Sequence, residues 1–130
     1  AAKEFAAVGS WDGARATFAA TQAKNSQEGT ILATWRHLLD NGSLQINEPN
    51  LAGTARKNLA RVSAKFANDL GVKNGDLVTI STDRGSLALP VEVSEILDGV
   101  IWLPRNGVGA ESLRILGALN GDGVKVRKGI

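Results

Sequence analysis

Residues 70–93, LGVKNGDLVTISTDRGSLALPVEV, carry two turn signals, Asn74-Gly75-Asp76 and Asp83-Arg84-Gly85, each opening an alternating apolar run. Glycine takes a positive φ at little cost, so both sites suit tight reversals, with Asp76 and Asp83 placed to cap them. In DLVTIST, Leu77, Thr79 and Ser81 share one face and Val78 and Ile80 the other. In SLALPVEV, Leu87, Leu89, Val91 and Val93 share a face. Pro90 has no N–H to donate, so its strand must run at a sheet edge or a barrel seam there.

The same punctuation continues on both sides. TARKNLARVS offers one strand around Thr54 to Arg56 and another around Ala60 to Val62. Ser63 can cap a helix over residues 63–70, with Phe66, Ala67 and Leu70 inward and Gly71 as a left-handed stop. DGVIWLP is apolar on both faces, the pattern of a strand buried from two sides. ESLRILGAL suits a short helix, and GVKVRKG a closing strand that pairs through Val124 and Val126. Short strands with few helices between them fit a small closed barrel better than an open sheet.

Upstream the pattern changes. TQAKNSQEGT is polar and reads as a loop or linker. TILATWRHLLDNG sets Ile31, Leu32, Trp35, Leu38 and Leu39 at helical spacing, with Thr30 and Asn41-Gly42 suited to its ends. His37 falls towards the polar side and reads as a solvated helix residue. These features divide the chain into a lead-in over 1–30, a helix and loop packed on the barrel over 31–52, and the barrel over 53–130. The expected fold is mainly β with short helices, a barrel preceded by a helical lead-in.

Composition narrows the chemistry. The 130 residues include no cysteine, which removes disulfides, thiolate catalysis and Cys-ligated metal or iron–sulfur sites from this chain. One histidine cannot build a Ser-His-Asp set with what surrounds it, nor a His-based metal site, so no catalytic or metal residues are assigned. A formal net charge of +2 is too small to argue for nucleic acid or an anionic membrane. No apolar run reaches the length of a membrane span, and the first residues lack the apolar core of a signal peptide. A start without Met leads us to expect a fragment or a processed product.

ARVSAKFANDLGVKNGDLVTISTDRGSLALPVEVSEILDGVIWLPRNGVG resembles the C-terminal molybdopterin-dinucleotide-binding domain of the large molybdenum oxidoreductases. The resemblance rests on a small-residue helix ending in Leu-Gly, a Gly-Asp-x-Val strand, an Arg-Gly turn, an alternating strand, and Gly-Val with an apolar strand ending in Pro. It implies a double-psi β-barrel. Within that family LATWRHLLDNGSLQINEPNLAGTARKNLARVS and LPVEV…LDGVIWLPRNGVGAES are similar to one branch. This branch is the large iron–sulfur subunits of bacterial NADH-quinone oxidoreductases (complex I), especially of actinobacterial type. The resemblance implies a peripheral position on the cytoplasmic side of the bacterial inner membrane. Its implied partners are the remainder of the same subunit and other peripheral-arm subunits, with no nucleic acid and membrane contact only through the complex. Flavin and iron–sulfur clusters would then belong to the parent assembly and not to this chain.

The resemblance also assigns a cleft. In cofactor-bearing relatives the first barrel strand ends in Thr-Gly-Arg, followed by a long loop that reaches the dinucleotide. The matching residues here are Thr54-Ala55-Arg56, with only Lys57, Asn58 and Leu59 before the next strand segment. Alanine in place of glycine hinders close approach of backbone to phosphate. The candidate cofactor-binding residues are therefore Thr54, Arg56, Arg84, Gly85, Arg105 and Asn106, as a degenerate cleft. Guanidinium forks at Arg56 and Arg105 suit phosphate, although salt bridges or contacts to a neighbouring domain would explain both. GVGAES reads as an anion-binding nest or, more simply, a turn. The expectation is that no cofactor binds this chain, with molybdopterin guanine dinucleotide the ligand if the cleft works. The alternative parent is a true molybdopterin oxidoreductase such as a formate dehydrogenase or nitrate reductase. A further double-psi enzyme class, a self-cleaving pyruvoyl decarboxylase, would need Gly85-Ser86 as its bond, but none of its other residues is recognisable.

Overall fold

The computed structural model describes residues 13, 29–42 and 48–129. Its strands are β1 (Thr30–Trp35), β2 (Ala60–Val62), β3 (Leu77–Ser81), β4 (Ser86–Val93), β5 (Val100–Pro104) and β6 (Gly123–Lys128). They close into a barrel in the order β1-β5-β2-β4-β3-β6, and β6 pairs back onto β1. Two neighbouring pairs are parallel, β1 with β5 and β2 with β4; the others are antiparallel. Three short helices lie in the connections: α1 (Pro49–Ala52), α2 (Ala64–Leu70) and α3 (Ser112–Leu116).

Alternation decides what meets inside. Val78 and Ile80 of β3 point into the core while Leu77 faces out, as the period-two pattern requires. Leu87, Leu89 and Val91 of β4 join them, with Val93 packed at the margin. Leu32, Val62, Ile101, Leu103, Leu116 and Val124 complete an aliphatic core. Pro90 sits at the expected seam. Val91 bonds back to Asp76 and Gly75, so Pro90 turns its nitrogen to the other side, where β2 pairs only from Val91 onward.

The helix expected over 63–70 is present. Ser63 caps α2 through Phe66 N–H at 3.1 Å, and Gly71 ends it at φ 64°. Asp76 accepts from Lys73 N–H at 2.9 Å, the capping role expected of it. At the second turn Thr82, not Asp83, accepts from Arg84 N–H, at 3.2 Å.

Three expectations need correction. The helix expected over 31–40 is absent, because residues 30–35 form β1 and belong to the barrel wall. Leu32 alone of that run points fully inward; Leu38 is 88 % exposed, where a helix would have buried it. Thr, Ile and Trp in TILATW suit a pleated surface, and β5 needs a parallel partner that only this segment provides. The barrel therefore starts at Thr30 and not at residue 53. Second, Thr54 to Arg56 form no strand: Thr54 N–H and Ala55 N–H extend the turn after α1, bonding Leu51 and Ala52 carbonyls at 2.9 and 3.2 Å. Third, β5 is buried on one face only, with Trp102 on the outer face at 37 % exposure. Phe5, Trp11 and Phe18, the aromatic residues of the lead-in over 1–30, lie outside the described residues.

Candidate functional site

Strand register builds a row of side chains across the outer wall. Ala33 of β1 stands opposite Trp102 of β5, Trp102 opposite Arg61 of β2, and Arg61 opposite Glu92 of β4. Arg61 Nε donates to Glu92 Oε2 at 2.5 Å. Its guanidinium lies 5.2 Å from the centre of the Trp35 ring, within cation–π range. Trp35 also packs beside Trp102, with ring centroids 5.9 Å apart, and beside His37 at 5.6 Å. These contacts hold the Trp35 indole from several sides.

Beside this row opens a groove of about 620 Å³. Trp35, Leu38 and Leu59 give it apolar wall; Arg36, Arg56, Lys57 and Arg61 give it charge. Glu92 is the one carboxylate lining it, and Arg61 already holds that. The pKa of His37 is lowered from 6.5, first by partial burial and then by the charges of Arg56 and Arg61, against an opposing pull from Asp40. The groove is thus a basic, partly apolar surface with the His37 imidazole at its edge. Among the described residues no group of three or more His, Cys, Asp or Glu side chains could hold a metal.

The six residues assigned from the sequence do not share one cleft. Arg56 lines the Trp35 groove. Thr54 Oγ1 donates to Leu51 C=O at 2.8 Å, closing the α1 turn. Arg105 lines a smaller pocket of about 170 Å³ with Thr34, Leu113 and Asn120. Trp35 and Thr34 are successive residues of β1, so these two pockets open on opposite sides of that strand. Asn106 C=O accepts from Asn41 N–H at 2.8 Å, tying the loop after β1 to the loop after β5. Arg84 and Gly85 press on the C-terminal end of α3. A Cβ on Gly85 would run into the Ile115 carbonyl oxygen, and one on Gly117 would run into the Arg84 side chain. Thr82 Oγ1 donates to Leu116 C=O at 2.7 Å at the same junction. The Arg-Gly turn is thereby explained as a packing device.

The dinucleotide can be tested against this geometry. A pyrophosphate needs backbone N–H groups that are free to converge on it. At Thr54 and Ala55 both N–H groups are spent within the α1 turn. In GVGAES, Ala110 N–H is spent on Gly107 C=O at 2.8 Å, and Asn58 fills the space beside Gly107 while donating to Val108 C=O. At both places some of the N–H groups that a phosphate would need are already bonded within the chain. Sequence reasoning found Arg56 but missed its companions Trp35, Arg36, Leu38 and Arg61. Reading 31–40 as a helix turned Trp35 away from Arg61; the strand-favouring Thr, Ile and Trp of TILATW were the signal that could have joined them.

Comparisons with known proteins agree with the barrel. Residues 30–113 match the family model described as the Molydopterin dinucleotide binding domain. The chain is 44 % identical over 133 residues to the G subunit of NADH-quinone oxidoreductase from Mycobacterium tuberculosis (strain CDC 1551 / Oshkosh), covering 99 % of this chain and 16 % of that protein. It is 37 % identical over 123 residues to the corresponding G subunit from Streptomyces coelicolor, covering 92 % of this chain and 15 % of the relative. The chain thus spans less than a fifth of the length of these relatives. Among solved structures, the computationally designed msDPBB_sym2 protein superposes with a TM-score of 0.54 at 22 % identity, over 77 % of this chain and 95 % of that one. Acetylene hydratase from Pelobacter acetylenicus superposes with a TM-score of 0.51 at 18 % identity, over 79 % of this chain and 19 % of that one. These likenesses establish the double-psi β-barrel fold.

Proposed function

The chain belongs to the molybdopterin dinucleotide-binding domain family, and from that premise we propose that it is the C-terminal domain of the large iron–sulfur subunit (the G subunit) of an NADH-quinone oxidoreductase. In this reading the whole complex passes electrons from NADH to quinone and couples this to proton translocation, while the present domain is a structural part of the peripheral arm. The observation that carries it is 44 % identity to such a subunit along 99 % of the chain. The absence of cysteine is consistent with clusters held elsewhere in the parent protein. Among the described residues no helix is long and apolar enough to cross a membrane. Attachment on the cytoplasmic side would come through the other subunits.

The same proposal assigns no pterin to this barrel. Its support is that the N–H groups of Thr54 and Ala55, at the place where cofactor-bearing relatives have Thr-Gly-Arg, are already spent within the chain. The test is purification of the parent protein from its host through an affinity tag. Co-purification with NADH-quinone oxidoreductase activity, without molybdenum, is the expected result. Stoichiometric molybdenum would instead favour a formate dehydrogenase or nitrate reductase type of parent. On the chain itself, guanine nucleotide should produce only weak amide shifts near Arg56, Arg84 and Arg105. Saturable shifts at micromolar nucleotide would overturn the structural reading.

A further inference from the structure

We propose that the Trp35 groove is the seat of an acidic protein segment, one carrying Asp or Glu beside an apolar side chain, supplied by the assembly outside this chain. The proposal rests on the reading that the chain is one domain of a larger protein. The first argument is charge. Four cations line the groove against the single carboxylate Glu92, three net positive charges where the whole chain carries +2. The rest of the molecule therefore sums to about −1, and the excess charge is local. Arg36, Arg56 and Lys57 make no ion pair with any described residue. Like charges gathered without partners repel one another, and an anionic partner relieves this.

The second argument separates a protein segment from a phosphate ligand. Leu38, 88 % exposed, lines the groove with Leu59 and the Trp35 indole. The nearby N–H groups of Thr54 and Ala55 are already bonded. Charge comes here from long side chains on an apolar floor, which suits a peptide carboxylate with a neighbouring aliphatic group. The third argument is continuity. Trp35 leads through Trp102 to Val100, Ile96 and Leu97, which line a second apolar depression of about 540 Å³. Leu97 is 79 % exposed. A segment leaving the basic groove would thus find further apolar surface along β5. Since the M. tuberculosis relative is matched over only 16 % of its length, ample polypeptide remains outside this domain to supply the occupant.

The test uses the intact parent assembly and a zero-length carbodiimide cross-linker, which joins an amine directly to a carboxylate. Lys57 should be found joined to Asp or Glu residues clustered in one segment outside this chain. Lys57→Arg should abolish those links while leaving the assembly intact, because the charge is kept. Arg36→Glu with Arg56→Glu should lower the yield at Lys57 at least fivefold and release the segment at lower salt. Lys125→Glu with Arg127→Glu, on β6, should change neither. Links from Lys57 to Glu92 alone would overturn the proposal. So would no carboxylate links together with full reaction of Lys57 towards a small amine reagent. Protection of Lys57 by guanosine diphosphate in place of such links would make the occupant a nucleotide and would equally overturn it. Failure of the NADH-quinone oxidoreductase reading would show separately, in which subunits co-purify; the state of Lys57 is read in whatever assembly the parent forms.

Discussion

At Gly85 a single methyl group would meet the backbone oxygen of Ile115, which no side-chain rotation can move aside. Gly85→Ala should therefore destabilise the fold by roughly 1–3 kcal/mol, the range for forced overpacking, measured by urea denaturation. Gly117, at φ 61° and beneath the Arg84 side chain, should behave similarly on substitution by Ala. The Arg-Gly pair was legible in the sequence as a turn. Its partner was not, because the α3 terminus lies some thirty residues downstream and contact at that distance leaves no local trace. A second residue-scale expectation concerns acid. The Glu111 carboxyl is held below its ordinary 4.5, first by a bond from its own backbone N–H, then by Asn41 Nδ2 and Arg114, while partial burial opposes them. A carboxylate with a depressed folded pKa contributes stability that is present above the unfolded value and lost as pH falls through the folded one. Stability should thus fall more steeply once the pH drops below 4.5, and Glu111→Gln should flatten that part of the profile. The His37 imidazole, also held low, adds acid sensitivity of the same sign below 6.5. Its titration midpoint, followed by NMR, should rise in Arg56→Ala because a repelling charge is removed.

Among the elements, α2 was the most legible and β1 the least. Every device that specifies α2 is local: Ser63 before it, Gly71 after it, Phe66 and Ala67 turned inward. Ser63 has a second role that the sequence hid. Its buried hydroxyl accepts from Phe66 N–H and donates to Asp98 Oδ1 at 2.5 Å, so the cap also ties α2 to the approach to β5. Ser63→Ala removes both bonds and should cost about 1–2 kcal/mol, visible as a lower urea midpoint with an unchanged slope. Strand β1 misled because its apolar residues satisfy two periods at once. Ile31, Leu32 and Trp35 fit one helical face, yet as a strand they divide between the core and an outer wall that Trp102 keeps apolar. A one-sided barrel strand is expected to alternate; this one does not, since its outer face is itself covered in part by aromatic packing. The candidate cleft suffered from the same error, because Arg56 could be seen only beside a helix and not beside Trp35, Arg36 and Arg61.

For the molecule as a whole, closure is the property that depends on β1. It pairs with β5 over residues 31–35 and with β6 through Thr30 and Ile31, and Leu32 is wholly buried. Removing it would leave β5 and β6 as two unpaired edges facing a gap in an aliphatic core. Open edges of this kind invite association with other chains. The loss of Leu32 alone belongs to a class of core deletions that costs about 2–5 kcal/mol, a large part of the stability of a small domain. A chain beginning at residue 53, the boundary read from sequence, should therefore fail to unfold cooperatively and should aggregate on size exclusion. A chain beginning at residue 29 should fold, with Ile101, Leu103 and Val124 amides among the slowest to exchange. If the shorter chain proved monomeric with a sharp unfolding transition, β1 would be an accessory strand and not a member of the barrel wall. Should the structural role in a peripheral arm hold as well, deletion of residues 1–35 from the parent would abolish this domain's contribution to assembly. Cluster potentials in whatever still assembles would stay unchanged, since electrons and barrel would then occupy separate parts of the protein.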